Sequence, residues 1–231
     1  AKTITSYGST FKTIASTFSP YRHGGYSVYF DGSDGLSLPN HSSHQIGTND
    51  FTVEFFVYFN SVSSDVTFFG RSASGQAFDL FVQYRPSLSN DLRVNTGTSY
   101  SPHTFSWTPS TSTWYHVSIT RSGSDLKAYV DGSQIGSTAT DSNNISLNTS
   151  VGIGYNINNA GQFLNGYMAD VRLINGTAIT PPSGGPTERL TAVSNTALLT
   201  CHLPYFADGS TNEHAITTTG DPEIEPFAPY D

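Results

Sequence analysis

Apolar and polar side chains alternate along two stretches of the chain. Over residues 51–59 every second side chain is large and apolar, from Phe51 to Phe59. Residues 77–85 show the same alternation, with Leu80 among the apolar positions. Because successive side chains of a β-strand point to opposite faces of a sheet, each stretch predicts a strand that buries one face in a core.

Short apolar runs separated by turn residues fill most of the remaining chain. Residues 114–121 and 126–130 flank a Ser-Gly-Ser-Asp turn, and Asp131-Gly132 forms a second tight turn. Further candidate strands lie at residues 27–30, 36–38, 66–70, 92–95, 104–107, 151–155, 167–174 and 197–201. No long segment has a helical period. The pattern predicts an all-β fold, either an antiparallel two-sheet β-sandwich or a barrel.

The predicted strands divide the chain into three parts. Residues 1–25 are rich in Ser and Thr and predict an extended N-terminal arm. Residues 26–203 form the sandwich, and residues 204–231 predict a C-terminal tail that packs on it. The Pro- and Gly-rich residues 181–186 could be a linker. We interpret them as an irregular loop, because the strand at 197–201 needs a partner earlier in the chain.

Composition narrows the range of partners. Lys and Arg total 10 against 18 Asp and Glu, which gives a formal net charge of -8. Nucleic acid and anionic membrane surfaces both need clustered cations, so neither is expected as a partner. No run of apolar residues is long enough for membrane insertion. The single cysteine, Cys201, is interpreted as a small buried core residue.

Four segments together resemble the laminin-G-like, concanavalin-A-like family of lectin and glucanase domains. They are YSVYFDG at 26–32, FTVEFFVYF at 51–59, WYHVSITRSGSDLKAYVDG at 114–132 and FLNGYMADVRLIN at 163–175. Their order and spacing match the family over most of the predicted sandwich. The resemblance implies a jelly roll of two antiparallel sheets packed face to face, with one sheet curved to give a concave surface.

Residues 196–220 resemble the tail that follows such domains in virion structural proteins of marine phages, notably cyanophages. The shared pattern is Leu-Leu-Thr-Cys, then Asp, Ser or Thr, Asn and His, and then an Ile-Thr strand. The resemblance implies a protein carried on a phage particle, as a tail fibre, an appendage or a capsid decoration. An extracellular location is the alternative.

The same fold hosts glycoside hydrolases, so catalysis has to be judged at individual residues. Laminarinase-type members carry Glu-x-Asp-x-Glu on one strand, and retaining hydrolysis needs two carboxyl groups about 5–5.5 Å apart. The matching strand reads Ala-Phe-Asp-Leu-Phe, so only Asp79 remains while Ala77 and Phe81 replace the glutamates. The sequence therefore predicts that the protein is not an enzyme.

His41 and His44 are the only histidines close together in the sequence. They lie in a Ser/Asn-rich stretch without a nearby Cys or Glu. We therefore interpret this stretch as a solvated loop and not as a zinc site.

Strand parity and the family resemblance predict a ligand-binding concave face. Its candidate residues are Glu54, Phe56, Tyr58, Asp79, Phe81, Gln83, Arg85 and His116. Aromatic rings and planar polar groups suit sugars, which have apolar C–H faces and paired hydroxyl donors and acceptors. The alternative is that a loop or the N-terminal arm covers Phe56 and Phe81.

Loops at the rim of the sandwich are a second candidate surface, because loops on rigid scaffolds often carry recognition. The candidates in these loops, at residues 100–107 and 155–159, are Trp107, Tyr155 and Asn156. The alternative for each loop is a solvated turn.

The family resemblance also implies a structural calcium ion. The carboxylate of Asp170 would bind it together with Asp31, Asp34 and the carbonyl of Gly35 in the first turn. Calcium takes six to eight oxygen ligands, which such a turn can supply. The alternative is that Asp170 pairs with Arg172 or another cation on the surface.

Three functions remain open on this basis. The first is a non-catalytic virion module that binds a glycan of the host surface. The second is a purely structural or assembly module that contacts other virion proteins, for which oligomerisation is possible. The third is a secreted carbohydrate-active enzyme with an unrecognised site.

Overall fold

The computed structural model describes residues 25–73, 77–97 and 99–230. In these residues the backbone forms fifteen β-strands and one short 3-10 helix, Ser42–His44. The strands are β1 (Ser27–Asp31), β2 (Gly35–Leu38), β3 (Phe51–Phe59), β4 (Val66–Ala73), β5 (Ala77–Arg85), β6 (Asp91–Asn95), β7 (His103–Ser106), β8 (Trp114–Ser122), β9 (Asp125–Val130), β10 (Ser133–Thr140), β11 (Val151–Ile153), β12 (Asn165–Asn175), β13 (Thr196–Thr200), β14 (Thr217–Thr219) and β15 (Glu223–Glu225). Among the described residues no helix is long and apolar enough to cross a bilayer.

Two antiparallel sheets form the sandwich. The eight-stranded sheet has the order β10-β9-β8-β3-β12-β1-β15, and β13 also pairs with β12. The seven-stranded sheet has the order β14-β2-β11-β4-β5-β6-β7. The predicted all-β, antiparallel two-sheet sandwich is therefore confirmed, and the barrel alternative is wrong.

The core lies between the sheets and is built by the alternation seen in the sequence. The inward residues of β3 are all fully buried: Phe51, Val53, Phe55, Val57 and Phe59. Val117 and Ile119 of the neighbouring strand β8 lie beside them on the same sheet, and Leu80 and Val82 of β5 face them across the core. Burying each such side chain contributes roughly 1.5–3 kcal/mol to folding. Cys201 is also buried in this core, as predicted.

Two irregular segments cover the outer face of the eight-stranded sheet. The first, residues 176–195, is held where the Leu190 amide donates to Asp170 and where Arg172 donates to the Thr191 carbonyl. The second, residues 226–230, forms a small apolar cluster on this face. The cluster consists of Phe56, Ala169, Leu190, Leu199, Ala228 and Tyr230. Most of the centre of this face is therefore closed to solvent.

The Pro- and Gly-rich residues 181–186 run as an irregular loop beside the β9–β10 turn. Gly132 in that turn has φ +72°, and a Cβ atom there would lie 1.8 Å from the Pro182 carbonyl oxygen. No residue larger than glycine fits at position 132. The Asp131-Gly132 turn therefore reverses the chain and also allows residues 181–186 to pack against it. The predicted N-terminal arm lies outside the described residues, apart from Gly25.

Candidate functional site

The eight residues predicted to share one concave face lie on two different sheets. Glu54, Phe56, Tyr58 and His116 lie on β3 and β8 of the eight-stranded sheet, whereas Asp79, Phe81, Gln83 and Arg85 lie on β5 of the seven-stranded sheet. Both sets point away from the core, as strand parity predicted. The outer faces of a sandwich point in opposite directions, so the prediction of one shared surface is wrong.

Glu54 is buried in an ion-pair network on the covered face. Its Oε1 accepts from Arg172 Nη2 at 2.6 Å and Nε at 3.0 Å, and its Oε2 lies 3.1 Å from His116 Nε2. Burial alone would raise the pKa of Glu54, but the hydrogen bond from His116 and the charge of Arg172 lower it overall. The carboxylate is thus ionised and fully used within the fold, which leaves Glu54 and His116 closed to a ligand.

Phe56 and Tyr58 lie under the C-terminal segment. The Tyr230 ring packs edge-on against Phe56, with centroids 5.4 Å apart, and Phe56 is 4% exposed. Tyr58 is half-buried and contacts Phe227 with centroids 5.0 Å apart. Phe56 is therefore covered, as the alternative stated. The residues that cover it belong to the C-terminal tail.

Asp79 and Phe81 are also closed to ligands, although they lie on the other sheet. Asp79 forms an ion pair with Arg71 at 2.8 Å, and both side chains are fully buried. The amide and carbonyl of Leu147 bond to these two side chains and hold the loop over them. Burial raises the pKa of Asp79 in spite of the nearby Arg71 charge. The Phe81 ring is fully buried and packs over Gly70, so neither residue reaches solvent.

The outer face of the seven-stranded sheet carries an open groove next to these buried residues. Its volume is about 350 Å³. The lining residues are Gln83, Arg85, Tyr100, Asn156, Asn158, Asn159 and Gln162. We call this surface the amide groove. It joins two members of the predicted concave face to two loops predicted to lie at the rim.

Hydrogen bonds between side chains fix the floor of the amide groove. Gln162 Oε1 accepts from Gln83 Nε2 at 2.7 Å, Thr67 Oγ1 at 2.9 Å and Asn156 Nδ2 at 3.2 Å. The hydroxyl of Tyr100 donates to Gln83 Oε1 at 3.1 Å. These amides are therefore oriented before any ligand arrives, which reduces the entropy lost on binding.

Arg85 carries little free charge in the groove. Its Nε lies 2.7 Å from Asp65 Oδ2, and its Nη1 donates to the Tyr100 hydroxyl at 3.2 Å. On the open side, Tyr100 is 39% exposed and Asn159 is exposed. The groove therefore offers neutral donors and acceptors and one aromatic ring to solvent.

The three predicted rim residues have different roles. Trp107 packs in the core, with its ring 5.8 Å from Phe59 and 5.7 Å from Tyr84, so its prediction as a ligand-binding rim residue is wrong. Tyr155 is also buried and stacks on Phe163 at 5.6 Å. Asn156 does line the groove. Sequence reasoning did not select Gln162, although the amide-rich run from 156 to 162 was a signal for it.

Asp170 is not part of the predicted calcium site. In the β1–β12 pairing Asp31 lies opposite Asn165, so Asp170 is five residues further along β12, or about 17 Å. Its buried Oδ2 accepts from the Leu190 amide at 2.6 Å and from the Tyr230 hydroxyl. Burial raises the pKa of Asp170 to about 7. The alternative of a surface pair with Arg172 is wrong as well, because Asp170 is buried.

A different set of carboxylates gathers at the first turn. Oxygen atoms of Asp31, Asp34 and Asp221 all lie within 4.8 Å of one another. Both oxygens of Asp34 accept backbone amides, from Asp31 and Asp221, at 3.0 Å each. Hydrogen bonds from Ser33 lower the pKa of Asp31. The set offers only oxygen donors and opens to water at Asp31 and Asp221, which suits a hard cation such as calcium.

The sandwich is similar to several solved structures. It matches a candidate carbohydrate-binding protein from Bacteroides ovatus with 17% identity and a TM-score of 0.67, over 90% of this chain and 61% of that protein. It thus spans about three-fifths of that protein's length. It matches a heptameric SAP-like pentraxin from Limulus polyphemus with 15% identity and a TM-score of 0.56, over 84% and 94% of the two chains.

A third similar structure is domain 4 of an extracellular arabinanase from Geobacillus stearothermophilus, solved in complex with arabinotriose. Its identity is 18% and its TM-score 0.52, over 67% of this chain and 72% of that one. At such identities these likenesses show a shared fold.

Sequence comparison identifies the family, which the structural likenesses do not. No curated protein sequence matches the chain significantly. A laminin-G-type family model, described as the concanavalin A-like lectin/glucanases superfamily, matches residues 11–182. Since this match covers well over half of the chain and the two-sheet sandwich agrees with it, the protein belongs to the concanavalin A-like lectin/glucanases superfamily.

Proposed function

We propose that this domain is a non-catalytic carbohydrate-binding module and that its ligand lies in the amide groove. The observation that carries the proposal is the convergence of six neutral amide or phenol side chains on one pre-organised open surface. They are Gln83, Tyr100, Asn156, Asn158, Asn159 and Gln162. The carbohydrate-binding and arabinotriose-bound proteins of the same fold support this proposal.

The chemistry of the groove favours a neutral sugar. An amide has both a donor and an acceptor, which matches hydroxyl groups that need one of each, and Asn158 and Asn159 present such amides on the solvent side of the groove. The exposed ring of Tyr100 gives a flat apolar surface for the C–H face of a pyranose. The positive charge of Arg85 is already neutralised by Asp65, so the groove has little attraction for an anionic glycan.

The lining of the groove also supports a non-catalytic role. None of the described residues that line it carries a carboxyl group. Hydrolysis by the usual retaining or inverting routes needs two carboxyl groups that flank the glycosidic bond. A carbohydrate-active enzyme remains the second alternative, and release of reducing sugars by the purified chain would support it.

Glycan-array screening followed by calorimetry tests the proposal. We expect weak binding of neutral glycans, with dissociation constants from tens of micromolar to millimolar. Tyr100→Ala should weaken binding about tenfold, because it removes one stacking surface worth roughly 1–2 kcal/mol. Asn159→Ala should weaken it as well. Tyr205→Ala is the matched control, since Tyr205 is an exposed tyrosine that does not line the groove. Binding that persists unchanged in the Tyr100→Ala and Asn159→Ala variants would place the ligand elsewhere.

We further propose that the domain is carried on a phage particle and binds a glycan of the host surface. The resemblance of residues 196–220 to phage virion tails supports this context. In the structure Asp208 orders that segment, because it accepts from the amides of Leu199, Ser210 and His214. Immuno-electron microscopy with an antibody against the domain tests the location. Particle labelling without glycan binding would favour the alternative of an assembly module that contacts other virion proteins.

We also propose that the Asp31, Asp34 and Asp221 carboxylates hold a structural calcium ion. A ligand that binds only the folded state raises stability by about 2.7 kcal/mol when it is 100-fold above its dissociation constant. For a chain of this size we expect the melting temperature to rise by roughly 5–10 °C with calcium. Asp31→Asn should abolish the rise, whereas Asp125→Asn, at an exposed carboxyl on β9, should keep it. A melting temperature that is equal in calcium and in chelator would contradict the proposal.

A further inference from the structure

Three histidines from two distant parts of the chain meet at the 3-10 helix. The rings of His44 and His214 are 4.4 Å apart between centroids, those of His41 and His214 4.7 Å, and those of His41 and His44 6.2 Å. His214 comes from the C-terminal region, more than 160 residues after the other two. The interpretation of this stretch as a solvated loop holds for the exposed His41 but is wrong for His44, which is fully buried.

The imidazole ring of His44 is buried without satisfying its hydrogen-bonding nitrogens. Neither of its ring nitrogens has a hydrogen-bond partner within the part of the chain that the structure describes. A buried polar group without a partner costs roughly 1–3 kcal/mol, so it calls for an explanation in a native structure. Burial and the charges of His214 and Arg71 lower the pKa of His44 to about 3. The ring is therefore neutral at physiological pH and keeps a free lone pair.

Ser43 lies between the other two rings. Its Oγ is 2.9 Å from His41 Nδ1 and 3.1 Å from His214 Nε2. A hydroxyl held between two imidazole nitrogens occupies the place of a small bound group. The Ser43 amide also donates to His41 Nδ1 at 3.2 Å, so Nε2 is the His41 nitrogen left for a metal ion.

The ring spacing matches a shared metal ion. With metal–nitrogen bonds of about 2.0–2.1 Å and tetrahedral angles, imidazole rings on one ion have centroids about 5 Å apart. The three observed spacings lie on both sides of that value. The nitrogens do not converge on one point in this conformation, so binding requires rotation of the rings about their Cβ–Cγ bonds with little movement of the ring centres.

We propose that His41, His44 and His214 form a site for a divalent transition metal ion such as Zn²⁺. Imidazole ligands favour zinc, copper, nickel and cobalt over calcium, so the site is chemically distinct from the carboxylates at Asp31 and Asp34. The carboxylate of Asp208, 4.0 Å from His214 Nε2, adds negative charge beside the ion. The exposed side chain of His41 gives the ion a route from solvent. Bound metal would tie the C-terminal region to the loop before β3.

Metal titration of the full chain without a polyhistidine tag tests the proposal. After treatment with chelator, Co²⁺ should bind with one equivalent and produce visible absorption bands of a four- or five-coordinate ion. Zn²⁺ should displace it, and Ca²⁺ should not. Zn²⁺ should also raise the melting temperature of the protein, because it ties two distant segments together.

Variants of His41 and His214 separate this site from adventitious binding. His41→Gln changes an exposed side chain, so the protein should fold, and the affinity for Co²⁺ should fall at least tenfold. His214→Gln should have the same effect. His103→Gln is the matched control and should leave the affinity unchanged, since His103 lies outside the cluster. The absence of Co²⁺ binding at micromolar concentration, or unchanged binding in the His41→Gln protein, would overturn the proposal.

Discussion

The buried carboxyl group of Asp170 makes the stability of the fold depend on pH. The residue adopts φ +50° at an irregular position of β12, and its side chain points into the layer covered by Leu190 and Tyr230. One carboxyl oxygen, Oδ1, has no hydrogen-bond partner in residues 25–73, 77–97 and 99–230. Burial raises the pKa of Asp170 from 3.8 to about 7, so the folded protein keeps a proton that the unfolded chain has lost.

The sign of the resulting pH effect follows from proton linkage. Between pH 4 and 7 the folded state binds one more proton at Asp170 than the unfolded state, so stability falls as the pH rises. Asp170→Asn mimics the protonated carboxyl and removes this dependence. We expect the unfolding free energy of the parent, relative to this variant, to fall by about 1.4 kcal/mol per pH unit in that range. Urea unfolding of both proteins at several pH values measures it, and a difference independent of pH would contradict the assignment.

At the scale of elements, β12 organises the eight-stranded sheet. One edge pairs with β3 along its length, and the other edge pairs first with β1 and then with β13. The β3 pairing shifts register between Ala169 and Arg172, next to Asp170. A bulge of this kind turns side chains away from simple strand parity. The assignment of Asp170 from the family resemblance failed at this irregular position, whereas the regular strands on either side were predicted well.

Strand β8 offers a direct test of the predicted core. Val117 is fully buried between the sheets, and Val117→Asp would place an unpaired charge there at a cost of several kcal/mol. We expect this variant to be insoluble or unfolded by circular dichroism. Gln134→Asp, at an exposed position of β10, introduces the same side chain and should change stability by less than about 1 kcal/mol. A Val117→Asp protein with native melting behaviour would show that β8 faces the other way.

At the scale of the whole molecule, the two outer faces of the sandwich differ in how far other segments of the chain cover them. Residues 176–195 and 226–230 close the face that carries Glu54 and Phe56. The opposite face keeps the amide groove open, although the Leu147 loop covers part of it. Because one face is closed and the other carries an open groove, we place the proposed glycan site on the seven-stranded sheet.

The sequence by itself determined the features that depend on neighbours in the chain. Alternation from Phe51 to Phe59 sets which side chains point inward, because a strand exposes successive residues to opposite faces. The turn at Asp131-Gly132 could likewise be predicted from the sequence, since only certain residues adopt positive φ without strain. These local rules were enough for the all-β class, the main strands and much of the core.

Only the tertiary structure decided which distant residues meet. Sheet membership separated Glu54 from Asp79, and the folding-back of the C-terminal region brought Asp221 to Asp34 and His214 to His44. Such contacts join residues up to 187 positions apart. Their stability comes from the packing of the whole sandwich and not from any local pattern, so both candidate metal sites and the amide groove became visible only once the sheets were assembled.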